Sequence, residues 1–269
     1  MKLLVAGSAE VDAGKTTFTT GLIERTGVRG YKPRAGNGYW YDHDDYRRAV
    51  ADGRLYGKDS KRLAAASPGD IEPEAINPIH RLWIPRPGSG KGLLGREGRA
   101  FVVDRITTED GDRYVVNGTI EIPPAAKRHL PLRDAPHVQA LPELNDLMAE
   151  VHAPALASLE AEITQRESAV VESYADIARP LSEFVPDAVA VVEPRRCRIF
   201  DGERYAKACD VASGSAHEGR LEERVEHVVE LLDPLSTATL PALSGRERDD
   251  PGIVANAYGE VYDELLAAV

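Results

Sequence analysis

Cysteine is almost absent from this chain of 269 residues: Cys197 and Cys209 are the whole complement. Two thiols build neither a secreted disulfide framework nor a zinc constellation, and the reading they support is a pair of structural thiols. Long apolar runs are missing too. Nothing approaches the ~20 residues a membrane helix needs, and the apolar stretch at the N-terminus is too brief for a signal peptide and is consumed by a first strand. There is no internal repeat and no low-complexity tail. Positive charge is in deficit, with 33 Lys and Arg against 44 Asp and Glu and a formal net charge of −11. Such a surface does not coat nucleic acid. These absences lead us to expect a soluble, cytoplasmic protein that engages neither nucleic acid nor a membrane. The length suffices for one large α/β domain or two small ones with a substantial core.

What is present begins at residue 2. The run Lys2-Leu3-Leu4-Val5-Ala6-Gly7 feeds Ser8-Ala9-Glu10-Val11-Asp12-Ala13-Gly14-Lys15-Thr16-Thr17, and a helical pattern continues to Arg25. An apolar strand, a tight loop ending in Gly-Lys-Thr and a helix together make a phosphate-binding arrangement. Backbone N–H groups of such a loop turn toward a polyphosphate, and the helix N-terminus adds a favourable dipole. The expected nucleotide-binding set is Glu10, Val11, Asp12, Ala13, Gly14, Lys15, Thr16 and Thr17. Within it Lys15 would reach the β- and γ-phosphates and the Thr16 hydroxyl would ligate Mg²⁺. Gly14 lets the backbone approach an oxygen that a Cβ would block. The strict spacing asks for glycine at position 9, where this chain has Ala9; the nearest upstream glycine is Gly7. An ordinary strand-to-helix turn with a surface lysine is the alternative.

Strands alternate with helices at the front and back of the chain, with a looser middle. The pattern predicts a strand at 2–6, a helix at 15–26, a second strand ending within 30–36, and helices near 44–52 and 60–66. Prolines and glycines punctuate 67–98 as loops. Two strands around Glu109-Asp110-Gly111-Asp112 read as a hairpin. A long helical pattern covers 141–166, kinked or broken at Pro154. Apolar strands follow at 169–172 and 187–192, then helices at 221–232 and 251–268. Alternation of this kind means a parallel sheet with crossover helices. We therefore expect one α/β domain over 1–269, with a mostly parallel sheet flanked by helices and a small β-hairpin insertion at about 95–125.

Phosphate chemistry calls for a metal, and the metal for carboxylates near the loop. Glu172 is the leading candidate, since it ends an apolar strand at the edge where open α/β sheets place ligands. A buried carboxylate there is costly without a partner, and Mg²⁺ would be one. An exposed strand-end glutamate is the alternative. Any of the carboxylates Asp42, Asp44 and Asp45 in the cluster Asp42-His43-Asp44-Asp45 would complete the site, or at least two of the three serve a helix N-terminus instead. His43 reads as polar surface in preference to a ligand.

Four segments, in order, resemble the dethiobiotin synthetase family of P-loop NTPases. The loop from Gly7 through Glu10-Val11-Asp12-Ala13-Gly14-Lys15-Thr16 resembles that family's Gly-Thr-Asp-Thr-Glu-Val-Gly-Lys-Thr stretch, with one extra residue. Gly30-Tyr31-Lys32-Pro33-Arg34-Ala35-Gly36 is similar to its Gly-Tyr-Lys-Pro-Val-Ala-Ser segment. Ile76-Asn77-Pro78-Ile79-His80-Arg81-Leu82, followed by Pro85, is similar to its Asn-Pro-Tyr-Arg segment, and Val170-Val171-Glu172 to its Val-Glu-Gly-Ala-Gly-Gly strand end. The resemblance covers most of residues 1–180. It implies a P-loop fold in which Lys15, Lys32 and Glu172 are catalytic, Lys15 and the loop hold ATP, and Lys32 stabilises charge on the acceptor and on the transferred phosphoryl group. It implies Mg²⁺ on Thr16, Glu172 and either Asp44 or Asp45. The family carboxylates a diamine, activates the carbamate with ATP and closes a cyclic urea; a homodimer is a further family-level expectation.

The chain departs from this pattern after Glu172, where Ser173-Tyr174-Ala175-Asp176 replaces a glycine-rich turn and would fill the diamine pocket. Arg34 also stands where the family has a small apolar residue, and binds an anion or is merely solvated. The expectation is accordingly an Mg-ATP-dependent P-loop enzyme, ligase-like or phosphotransferase, acting on an unidentified small-molecule acceptor. One alternative is a P-loop kinase with Arg195, Arg196 and Arg198 as a lid, unless these are a charged surface loop. The other is a nucleotide-dependent switch ATPase; Glu10 stands where such switches carry a lysine, which counts against it.

Overall fold

A computed structural model of the chain describes residues 1–8, 14–86, 93, 98–212 and 223–269. In chain order the elements are β1 (Lys2–Gly7), α1 (Lys15–Thr26), β2 (Arg29–Tyr31), β3 (Arg34–Gly38), α2 (His43–Ala51), α3 (Lys58–Ala66), α4 (Pro73–Ile76), β4 (Ile79–Pro85), β5 (Arg99–Thr108), β6 (Gly111–Asn117), α5 (Pro124–His129), β7 (His137–Val138) and α6 (Leu141–Leu147). A π-helical turn, Met148–His152, leads into α7 (Ala153–Gln165). Then come β8 (Ala169–Glu172), β9 (Ala188–Glu193), β10 (Arg196–Asp201), α8 (Gly202–Ala212), α9 (Val225–Val229), β11 (Ser236–Thr239), α10 (Gly245–Arg248), α11 (Pro251–Ala257) and α12 (Gly259–Leu266). The protein is α/β, with two mixed sheets and flanking helices. Among the described residues no helix is long and apolar enough to cross a membrane.

The chain makes two compact units where the sequence reads as one domain over 1–269. The first comprises Met1–Pro33, Arg62–Ile71 and Glu160–Val269, the second Arg34–Lys61 and Glu72–Leu159. The hairpin expected as an insertion at about 95–125 is β5 and β6, paired with Thr108 opposite Gly111. It lies within the second unit's sheet, ordered β3-β4-β5-β6-β7. That sheet closes over its own apolar core, with Tyr46, Val50, Leu55, Leu82, Val103 and Val116 buried together. A core of its own is what makes this segment a unit and not a loop decoration.

The first unit is organised by a sheet ordered β11-β10-β9-β1-β8-β2. β1 lies between β8 and β9, parallel to both, and β2 runs parallel to β8. A parallel strand flanked on both sides is buried on both faces, which is why Leu3-Leu4-Val5-Ala6 and Val189-Ala190-Val191-Val192 are unbroken apolar runs with no exposure. β10 and β11 extend the sheet antiparallel, so it is mixed.

Proline marks two places along the chain. The second strand was expected to end within 30–36, and β2 stops there at Tyr31, while Arg34 opens β3 in the other sheet. Pro33, between them, has no N–H to give a ladder. At Pro154, where a kink or break was expected, the helical path continues through a π-helical turn, with Ala153 N–H donating to Met148 O just before the proline. Widening there accommodates a residue that lacks its own N–H. The C-terminal helix expected over 251–268 divides at Tyr258. Of the helix expected at 221–232, the described part is α9, Val225–Val229.

Candidate functional site

In the first unit, β1, β8 and β2 are mutually parallel, so the residues at their C-terminal ends gather on one edge of the sheet: Gly7, Glu172 and, one residue past β2, Lys32. α1 starts just after the loop from β1. Gly14 caps it with φ of 93°, a left-handed conformation suited to glycine. The helix has no acidic residue in its first turn and no side-chain cap among the described residues, and its N-terminus carries the positive end of the helix dipole. Within the expected nucleotide-binding set, Glu10, Val11, Asp12 and Ala13 lie outside the described residues. Gly14, Lys15 and Thr16 are half-buried at the head of α1, and Thr17 is buried in its first turn.

Thr16 and Glu172, 156 residues apart in sequence, meet directly. The Thr16 hydroxyl donates to Glu172 Oε1 at 2.9 Å. The Lys32 ammonium donates to the same oxygen and forms an ion pair with it. Glu172 has no exposure and Lys32 only 4 %. Glu172 Oε2 is buried without a hydrogen-bond partner among the described residues. An orphan carboxylate oxygen in a dry setting is expensive and points to a ligand that would satisfy it. The expected triad of Lys15, Lys32 and Glu172 thus belongs to one unit, with Lys32 and Glu172 in contact.

Lys15 is seated by Gly7. A Cβ on Gly7 would lie 2.8 Å from both Cγ and Cδ of Lys15 and 2.7 Å from Val192 O. The aliphatic stem therefore passes over the bare backbone at the end of β1. Sequence reasoning treated Gly7 as a glycine out of register with the motif and gave it no role; its closeness to Lys15 is a tertiary fact. Ser8 was passed over as well. Its Oγ is buried without a partner among the described residues, and its position between Gly7 and the loop was the only signal available.

Asp44 and Asp45, expected at the metal, belong to the second unit. Asp44 is exposed in the first turn of α2. Asp45 is buried, and its Oδ2 accepts from Asn37 Nδ2 at 3.0 Å and from the Lys58 backbone N–H at 2.8 Å. Burial pushes its carboxyl above the usual range, against the pull of those two hydrogen bonds. Its visible work is tying β3 and α3 to α2. Asp42 turns its carboxylate back to the Gly38 N–H at 2.8 Å, and exposed His43 stacks edgewise on Tyr39. Among the described residues no group of three or more His, Cys, Asp and Glu is arranged to hold a metal ion. For a metal site this leaves Thr16 and the Glu172 carboxylate, whose hard oxygens suit Mg²⁺.

The remaining candidates settle into structural positions. Arg34 opens β3 in the second unit, half-buried. Arg196 and Arg198 sit on β10, and both reach Glu193 on β9, at 2.8 and 3.1 Å. Cys197 and Cys209 are buried free thiols, and burial first, then neighbouring carboxylates for Cys197, pushes each up to about 12. After Glu172, Ser173 N–H donates to Val5 O at 2.9 Å, and Asp176 pairs with Arg224 at 2.9 Å. The turn from Ser173 to Asp176 is thereby stitched into the unit. Comparison with known proteins finds no matching family model, no matching curated protein and no matching solved structure.

Proposed function

We propose that the first unit is a P-loop nucleotide-binding unit that couples Mg-ATP hydrolysis or phosphoryl transfer to a small, anionic acceptor. The observation that carries this reading is the Thr16–Glu172 contact beside a Glu172 Oε2 that has no partner among the described residues, at the C-terminal edge of parallel strands where α/β sheets take ligands. Lys15, its stem laid over Gly7, would hold phosphate oxygens, and the start of α1 would add its dipole. Thr16 and Glu172 would hold the cation. Bound there, Mg²⁺ would neutralise charge on the phosphates during transfer. Lys32 supplies a second, nearly buried positive charge for the acceptor or the transferred group. The four segments that resemble dethiobiotin synthetase support the ligase-like form of the reading. The altered turn from Ser173 to Asp176 argues for an acceptor other than its diamine.

Calorimetric titration with ATP and with GTP, each with and without Mg²⁺, tests the reading. Wild-type chain should bind ATP only with Mg²⁺ present, and Lys15→Ala should lose that binding while keeping its circular dichroism spectrum. Unchanged affinity in Lys15→Ala would remove the loop assignment.

A further inference from the structure

Glu172 is claimed from several sides. Its Oε1 already takes the Thr16 hydroxyl and the Lys32 ammonium, while its Oε2 stays buried and unpaired among the described residues. Its own position is fixed: it ends β8, opposite Val5 of β1 in a parallel ladder. Lys32 differs in kind, because its charge rides on a flexible four-carbon stem. An ammonium and a divalent cation on one buried carboxylate repel each other strongly, since even two unit charges about 4 Å apart interact well beyond thermal energy at protein dielectrics. The mobile partner is the one to yield.

We infer that Lys32 is a built-in counter-ion that competes with the divalent cation for Glu172, so that cation binding releases the Lys32 ammonium toward an anionic ligand. This rests on the proposed function, in which Glu172 takes the metal. The device couples two events. While Lys32 is held on Glu172, its charge is spent on a protein carboxylate and attracts a substrate anion only weakly. When the cation takes over the carboxylate, that positive charge becomes available beside it. By linkage the anion in turn tightens the cation. No covalent step is involved, only an exchange of one cation for another on a fixed carboxylate.

Mn²⁺ binding to the full chain without nucleotide, followed by electron paramagnetic resonance, tests the competition. Lys32→Met should bind Mn²⁺ at least ~10-fold more tightly than wild type, because removal of a nearby positive charge favours a second one. Lys32→Arg should stay within about threefold of wild type, since the charge is kept, and Glu172→Gln should bind more weakly than either. Inorganic phosphate should tighten Mn²⁺ in wild type and not in Lys32→Met. Equal or weaker Mn²⁺ affinity in a folded Lys32→Met that still binds Mg-ATP would overturn the competition and leave the nucleotide reading standing. A wild-type chain that binds neither Mn²⁺ nor Mg-ATP would overturn both. A second measurement needs no variant: in wild type, Mg²⁺ should raise the rate at which acetic anhydride labels Lys32, read by mass spectrometry. A rate unchanged or lowered by Mg²⁺ would also overturn the inference.

Discussion

Gly7 shows how one missing side chain shapes a site. Its Cα marks the end of β1, and the Lys15 stem and the Val192 carbonyl both stand where a Cβ would go, at 2.8 and 2.7 Å. Alanine at this position must displace either a backbone carbonyl of the neighbouring strand or the lysine. Overpacking of this sort typically costs about 1–3 kcal/mol. Gly7→Ala should therefore lower the urea midpoint and, by moving Lys15, weaken Mg-ATP binding by more than about tenfold, a loss of ~1.4 kcal/mol. Wild-type affinity in a folded Gly7→Ala would mean that the lysine needs no such seat. Not every strained position has a glycine: Ala175, in the turn after Glu172, adopts φ of 46°, where an L-residue gives up about 1–2 kcal/mol.

Among the elements, α1 is the most constrained. Residues Thr17 to Ile23 are all buried, and α11 packs closely along the helix. Phe18 meets the Tyr262 ring edge-on at 4.8 Å, and the Tyr262 hydroxyl donates to Phe18 O at 2.8 Å. Gly21 is the point of closest approach: a Cβ there would lie 2.5 Å from Tyr262 Oη and 2.6 Å from Val254 Cγ1. Helix propensity alone would favour alanine by about 1 kcal/mol. The clash acts in the opposite direction and is larger, since the Tyr262 hydrogen bond and the Val254 packing must both yield. Gly21→Ala should therefore destabilise by ~1–3 kcal/mol in denaturant titration; a gain in stability would show that the C-terminal helices yield freely. The span of α1 was legible in the sequence as a helix at 15–26, but its burial all round and its closeness to α11 and α12, more than 200 residues later in the chain, were not.

On the scale of the molecule, resistance to acid depends in part on one buried carboxylate in the second unit. Asp104 on β5 has no exposure. Arg81 Nε donates to its Oδ1 at 2.5 Å, and His152 Nε2 lies 3.0 Å from Oδ2. Burial alone would raise its pKa, but the Arg81 charge and the hydrogen bonds from Arg81 and His152 win and hold it at about 2. The folded value thus lies below the ordinary 3.8. Its contribution, about 2 kcal/mol, is complete above pH ~4 and is lost as pH falls toward ~2. Asp104→Asn should flatten the fall of the urea midpoint across that window. At neutral pH it should cost about 3 kcal/mol, because the buried carboxylate's charge-assisted pairing with Arg81 is lost. An unchanged acid limb in Asp104→Asn would assign the acid sensitivity elsewhere.

The sequence by itself determined local elements in both units. The apolar runs that became β1, β8 and β9, the Gly-Lys-Thr start of α1 and the hairpin at Gly111 are all read from neighbours in the chain, where periodicity and turn chemistry act. It also pointed to Lys15, Lys32 and Glu172. Only the tertiary structure decided that Thr16 and Lys32 share one oxygen of Glu172, that Asp45 is committed to Asn37 and Lys58, and that residues 34–61 and 72–159 make a unit with its own core. The reason is physical. Element formation depends on spacings of two to four residues, which a sequence displays, whereas hydrogen-bond partners across 156 residues and the division of apolar residues between two cores depend on sheet order and packing. Neither is written in local pattern.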